Sequence, residues 1–445
     1  MMKASMGRVE ITPEMGFPIG GNVRSDRAAR GVHDPLHCNI LLLRQGTRSV
    51  CLLGFDLVGL HGSQAETIRK EVRKAWVENG DSILMFCTHT HSGPDTVMST
   101  SPRLRPLADA YVDSIVPIIA GEVGRLKDAM CPVVLKAGRT KVHGLGHNRR
   151  LVKNDGSIVM NFETFRREEI TGPDGPVDPD LSTLSVWDKE GRLLGVLVNF
   201  TLHPAVLVGY RKLISRDYVH ALDETILKAF GPGTVVLFAN GAAGNVNHLN
   251  YMIDNQKRGF SETRRIGSLL GRAVLKNIRG SEAVEGDLRF VRHRFSLPLR
   301  EITPEELEWA GMVMERDRGE PEDQLDGIPD MTYARCILGM SLREEKSIET
   351  MVMGLKIGEF QAVTLPGEVF CEIALELKNH MNARYPAVIS LSGDYVGYIP
   401  VPKAFDKGGY ETKTLWTSQL ARNAADVLVK TIKEEIIHVL EEKQD

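Results

Sequence analysis

An α/β fold with a mixed β-sheet core and flanking helices is predicted, because strand–helix–strand units occur twice and the strands in them are almost wholly apolar. Uninterrupted apolar runs fit strands covered on both faces, not strands with one wet face. NILLL (39–43) and VCLLGFD (50–56) are the first two strands. The segment 63–78 then places Ile68, Val72 and Trp76 on one helical face. SILMFC (82–87) follows as a strand, closing the first unit. The second unit reads LGVLVNF (194–200), a helix over 218–229, and TVVLFA (234–239). Between the units, 140–182 is rich in Gly, Asn, Asp and Pro and reads as long loops, which in compact domains are often functional.

Further along, Thr303-Pro304-Glu305-Glu306 is a helix start, with Thr as N-cap, Pro at the first position and Glu at the capping-box position. That helix is expected to reach about 317, with a polar loop or linker over 320–330. A hairpin (351–365), a helix (369–383), a strand (387–392) and a closing helix (417–442) complete the chain. One domain over 1–445 is expected, with a subdomain boundary at 285–300 as the one place where it could divide; the chemical motifs fall on both sides of that boundary.

Composition narrows the function. The 445 residues include 42% hydrophobic and 25% charged, a globular balance that supports a large core. A formal charge of −3 without a basic block argues against a nucleic-acid surface. No apolar stretch is long enough for a membrane span, and the N-terminus lacks the apolar centre of a signal peptide. The six cysteines form no C-x-x-C pair, so reduced thiols and a cytoplasmic location are expected. A homo-oligomer is compatible with all of this.

Chemistry concentrates at strand ends, where open α/β sheets bind ligands. Thr88-His89-Thr90-His91-Ser92-Gly93-Pro94 follows SILMFC directly. In an extended segment His89 and His91 share a side, so they can share a metal or pair a ligand with a proton donor. The zinc β-lactamase pattern H-x-H-x-D-H is absent. Asn199-Phe200-Thr201-Leu202-His203-Pro204 ends a second apolar strand, with the proline restricting His203. Leu365-Pro366-Gly367-Glu368 is a strand-to-helix junction whose Glu could complete a His2Glu zinc site. Tyr398 and Tyr410 stand twelve residues apart in loops. The loop Ala239–His248, rich in Gly and Asn, could offer backbone N–H groups to an oxyanion; it is neither a P-loop nor a dinucleotide fingerprint. Each segment alone has an ordinary structural explanation, and their repeated placement after strands raises the metal reading.

Together these segments resemble the catalytic domain of the neutral (non-lysosomal) ceramidases. The likeness starts at Gly7-Arg8-Val9-Glu10-Ile11-Thr12-Pro13 and runs through T-H-T-H-S-G-P, Asn148-Arg149, N-F-x-x-H-P, the Gly/Asn loop, P-G-E and the paired tyrosines. The resemblance implies one zinc ion bound by His89, His203, Glu368 and Tyr398. It implies that His91, Arg149 and Tyr410 line the reacting carbonyl. The family's loop serine is replaced by Asn247, followed by His248 and Leu249, and the family's C-terminal immunoglobulin-like domain and secretion signal are not seen.

The expectation is therefore a zinc-dependent amidase acting on a small soluble N-acyl compound, not on ceramide. Zinc-bound water attacks the amide, Arg149 and Tyr410 stabilise the oxyanion, His91 transfers the proton, and Asn247 orients water or donates to the oxyanion. Asp56 is a candidate partner for a zinc-binding imidazole. An esterase or lactonase with the same metal chemistry, or a non-catalytic metal-stabilised binding protein, are the alternatives.

Overall fold

The computed structural model describes residues 1–21, 27–76, 82–97, 105–254, 256–316 and 328–442. Most of the predicted loop 320–330, and the ends of the helices expected to reach 78 and 317, lie outside the described residues.

Eight strands form the path of the first sheet: β1 (Met2–Glu10), β2 (His37–Gln45), β3 (Arg48–Phe55), β4 (Ile83–Cys87), β5 (Cys131–Lys141), β6 (Asp180–Asp188), β7 (Leu193–Phe200) and β8 (Val235–Asn240). Their order is β8-β7-β6-β5-β1-β2-β3-β4, with Glu282–Ala283 added beside β5 as a ninth strand. The β3–β4 and β7–β8 pairs are parallel and the other pairs on this path antiparallel, so the sheet is mixed. The second sheet has the order β9 (Leu288–Pro298), β10 (Ser347–Ile357), β11 (Phe360–Thr364), β12 (Tyr385–Ile389), and its β11–β12 pair is parallel.

Period-two alternation explains why whole apolar runs are buried. Ile40 and Leu42 pack with Cys51, Leu53, Ile83 and Met85 against helices α1 (Gly62–Trp76) and α2 (Arg105–Asp128). Their neighbours Leu41 and Leu43 point the other way, into a core shared with Met353, Leu355, Phe360 and Ala387 of the second sheet. At the other end, Val196 and Val198 meet α3 (Tyr218–Phe230) and α4 (Phe260–Arg279). The outer face of the second sheet is covered by α7 (Cys371–His380) and a helix over 424–441, after α5 (Pro304–Glu315) and α6 (Asp330–Ser341). The layers run helix, sheet, sheet, helix, and each fully buried Leu, Ile, Val or Phe contributes about 1.5–3 kcal/mol.

The predicted α1 face is buried as expected, and Thr303 makes the complete capping box. Two local expectations change. The region 140–182 contains a small sheet of Arg150–Lys153, Ile158–Met160 and Ile170–Pro173. The closing helix starts at Ala424 rather than 417, because Leu420 is held in a β-bridge with Leu299. No helix among the described residues is long and apolar enough to cross a membrane, and all six cysteines are free.

Edge strands β4 and β8 are far apart in the hydrogen-bonded order, yet the sheet curls until they lie against each other. Asn240 Nδ2 donates to Thr88 O at 3.3 Å. The segment after β12 seals the seam: Ser390 N donates to Asn240 O at 2.9 Å, Cys87 N to Leu391 O at 3.1 Å and Gly393 N to Met85 O at 3.1 Å. The carboxyl ends of β4, β7, β8, β11 and β12 thereby meet at one place.

Candidate metal centre

His89 follows β4, with its backbone N–H donating to Leu57 O at 2.9 Å. The segment is not extended as expected: His89 has φ +71°. Left-handed backbone is uncommon for a residue with a Cβ, and such strain clusters at functional sites. The two histidines converge through this twist instead of through strand alternation, and their Nε2 atoms lie 3.2 Å apart. His203, beyond β7, brings its Nε2 to 2.8 Å from that of His91.

Each imidazole is turned by a backbone carbonyl on its far side. His89 Nδ1 donates to Val58 O, His203 Nδ1 to Ala243 O at 3.2 Å, and His91 bonds the Gly21 carbonyl. A carbonyl only accepts, so Nδ1 of His89 and His203 donates outward and Nε2 is the atom turned toward the cluster. Burial, reinforced by His89, pushes the His91 imidazole down to about 3, and burial with both neighbouring imidazoles lowers His203. Neutral rings are the ligating form.

Glu368 faces the same point. Gly367 sits at φ +89° where a Cβ would meet Gly397 O at 2.3 Å, so only glycine lets Pro366-Gly367-Glu368 lie against Gly397-Tyr398. Glu368 and Tyr398 are then partners in a short parallel ladder. Glu368 Oε2 lies 3.3 Å from His89 Nε2 and 3.8 Å from His203 Nε2. That oxygen is buried without a hydrogen-bond partner among the described residues. Burial alone raises the Glu368 carboxyl, but His89, His203 and Arg149 override it and hold the group ionised. A buried, unpartnered carboxylate oxygen facing imidazole nitrogens fits a divalent cation. Among the described residues one group of three His, Cys, Asp or Glu side chains could hold a metal ion, and it is His89, His91 and His203.

Arg149 borders the cluster. Its Nη2 donates to Tyr398 Oη at 3.1 Å and its Nε to Glu411 Oε1 at 2.8 Å. The Tyr398 and Tyr410 rings lie beneath its guanidinium, at 5.4 and 5.6 Å, and Tyr410 hydrogen-bonds Tyr398. Glu411, 1% exposed, also accepts from Arg150 Nη1 at 2.9 Å. Burial works against the Arg149 charge, but Tyr398, Glu411 and Glu368 raise its pKa above the ordinary range, so it stays cationic.

The structure thus brings together His89, His91, His203, Glu368, Tyr398, Arg149 and Tyr410, and places Asn247 differently. Asn247 and Asn161 exchange both amide hydrogen bonds at 2.8 Å, and Asn247 Oδ1 also accepts from Leu249 N at 3.0 Å. Its side chain buttresses the wall that carries Arg149, whose carbonyl accepts from Asn161 N at 2.7 Å. Three of the loop amides are engaged within the fold: Gly241 N with Phe200 O, Gly244 N with Val369 O, Val246 N with Ala243 O. The small residues have another cause, since a Cβ on Gly244 would meet Glu368 O at 2.5 Å. Asp56 does not hold a cluster imidazole; it pairs with Arg216 at 2.7 Å and accepts from His37 N at 2.9 Å. Sequence reasoning missed Tyr395, whose hydroxyl donates to Glu368 Oε1 at 2.6 Å, and Glu411. Both sit within three residues of the paired tyrosines, and that proximity was the available signal.

No family model matches the chain. The neutral ceramidase of Pseudomonas aeruginosa is 29% identical to it over 287 residues, which cover 59% of this chain and 40% of that protein. The match therefore spans less than half the length of this relative. In three dimensions the crystal structure of neutral ceramidase from Pseudomonas aeruginosa aligns with a TM-score of 0.75 at 16% identity, covering 99% of this chain and 74% of that one. A ceramidase complexed with C2 aligns with a TM-score of 0.74 at 17% identity, covering 100% and 76%. The chain is similar in sequence to this neutral ceramidase over 287 residues and has the same mixed-sheet fold with flanking helices.

Proposed function

We propose that this chain is a zinc-dependent hydrolase of linear amide bonds, taking small N-acyl substrates in preference to ceramide. The observation that carries the reading is the meeting of three imidazole Nε2 atoms with an unpartnered carboxylate oxygen beside a buried arginine. His89, His203, Glu368 and Tyr398 are the residues assigned to hold the ion. Tyr398 enters the set as the ladder partner of Glu368. When bound, zinc supplies a Lewis acid and lowers the pKa of a coordinated water toward about 7.

The remaining residues bind and move protons. Arg149 and Tyr410 are assigned to donate to the carbonyl oxygen as negative charge builds there; such a donor is worth about 10²–10³ in kcat. His91 Nε2 lies 3.2 and 2.8 Å from the other two Nε2 atoms, and His91 is the residue assigned to pass the proton to the leaving amine nitrogen. Asn247 cannot act as a nucleophile and is bound to Asn161, which leaves solvent as the attacking group. That departure from the ceramidases is also why a smaller substrate is assigned.

Metal analysis with a substrate panel tests the reading. Purified protein should hold about one zinc ion per chain. His89→Ala should lose both the ion and amide hydrolysis. Full activity of metal-stripped protein on N-acyl amines refutes the proposal; turnover of matched esters alone reassigns the chain as an esterase or lactonase.

A further inference from the structure

We propose that Tyr395 is a positioning residue that decides which oxygen of Glu368 meets the metal ion. The inference rests on the metal reading above and adds a residue outside the assigned ligand set. Glu368 has two chemically equivalent oxygens, yet the structure treats them differently. Oε1 accepts from the Tyr395 hydroxyl at 2.6 Å, while Oε2 has no hydrogen-bond partner among the described residues and lies 3.3 Å from His89 Nε2. The carboxylate is therefore divided into one oxygen anchored by protein and one left for a cation.

The phenol is itself fixed, which makes this division durable. Tyr395 is 6% exposed. Its backbone N–H donates to Asp394 Oδ1 at 2.7 Å, and Asp394 also accepts from the Gly62 backbone. The His61 ring stands edge-on to the Tyr395 ring at 6.5 Å. On the remaining side Gly59 is so close that a Cβ there would meet the ring at 3.0 Å. A donor held this firmly stops the Glu368 carboxylate from rotating about its last bond and pre-orients Oε2. Hydrogen bonds of this kind to metal-binding side chains are worth roughly 10–100-fold in metal affinity.

Zinc affinity of the metal-stripped protein, measured against a chromogenic chelator, tests this with a Tyr395→Phe variant. Binding should weaken roughly 10–100-fold. In a Glu368→Ala background the same change should have almost no effect, because the oxygen it orients is gone. Cobalt(II) gives a second readout: its visible absorption should differ between wild type and Tyr395→Phe. Unchanged zinc affinity, an equal loss in the Glu368→Ala background, or an unchanged cobalt spectrum overturns the inference alone. A wild-type protein that takes up no divalent ion overturns the metal reading itself.

Discussion

Removing the Glu411 carboxylate is the sharpest perturbation of the cationic side of the site. It touches none of the assigned metal ligands. Glu411 Oε1 accepts from Arg149 Nε at 2.8 Å and Oε2 from Arg150 Nη1 at 2.9 Å, with all three side chains buried. Glu411→Ala leaves two guanidinium groups to find other partners. Arg150 has them: Asp174 at 3.1 Å and Gly408 O at 2.8 Å. Among the described residues Arg149 keeps Tyr398 Oη at 3.1 Å. Breaking a buried pair by deleting one partner costs about 3–5 kcal/mol, and the backup at Arg150 puts the expected loss near the lower end, about 3 kcal/mol. Glu411→Gln keeps an acceptor but loses the charge and should fall in between. Urea unfolding of metal-loaded protein measures this directly. Zinc content should hold, while kcat/KM for amides at a temperature where the variant is folded should fall about 10²-fold, as for a displaced oxyanion donor. An unfolding free energy within about 1 kcal/mol of wild type, or full activity, refutes the idea that Glu411 orients Arg149.

Two further changes probe the same wall. His248 is 4% exposed with both ring nitrogens unpartnered among the described residues, and burial pushes its imidazole down to about 4, with Arg258, His147 and Arg265 adding and Glu262 opposing. Its folded pKa is below the unfolded value of about 6.5, so acid protonates the unfolded chain first and stability falls as pH drops from about 6.5 to 4. His248→Phe removes that penalty. Relative to wild type, the metal-stripped variant should gain roughly 2–3 kcal/mol between about pH 7.5 and 4.5 in urea unfolding, and a pH-independent difference contradicts the assignment. Asn247→Ala should cost about 1–3 kcal/mol by orphaning Asn161, with kcat within about tenfold of wild type. A loss near 10³-fold at full folding would restore a direct catalytic role for Asn247.

How far the sequence was readable depends on the range of the forces involved. The strand–helix–strand units, the Trp76 face of α1 and the Thr303 cap rest on local periodicity and local hydrogen bonds, and they appear in the structure where the sequence places them. The strand β1 and the long helix α2 were not legible. β1 scatters Lys3, Arg8 and Glu10 over both faces without a period-two pattern, and Pro117 interrupts the α2 pattern. Strand-end motifs pointed to His89, His203 and Glu368 for a general reason, because parallel strands deliver their carboxyl-end loops to one side. What periodicity could not show is the curl. Leu41 and Ile40 are equally apolar, so nothing in the run says which face meets the second sheet or that β4 and β8 will touch.

That curl governs which side chains become neighbours. The sealing segment Ser390–Gly393 bonds β8 on one side and β4 on the other, and Tyr395 and Tyr398 follow it within a few residues. The step that closes the sheet edges therefore also sets the phenols against Glu368 and Arg149. Tyr395 and Tyr398 look alike in sequence, three positions apart, but one donates to a carboxylate while the other accepts from a guanidinium. Their difference comes from the partner that long-range closure presents, and no local pattern encodes it. The left-handed backbone at His89 belongs to the same geometry. Thr88 N bonds Phe55 O and His89 N bonds Leu57 O, so the chain leaves β4 along the end of β3 and must reverse its twist at once to aim Nε2 across the seam. The motif could be recognised in one dimension, but the strain that aims it exists only once the sheet has closed.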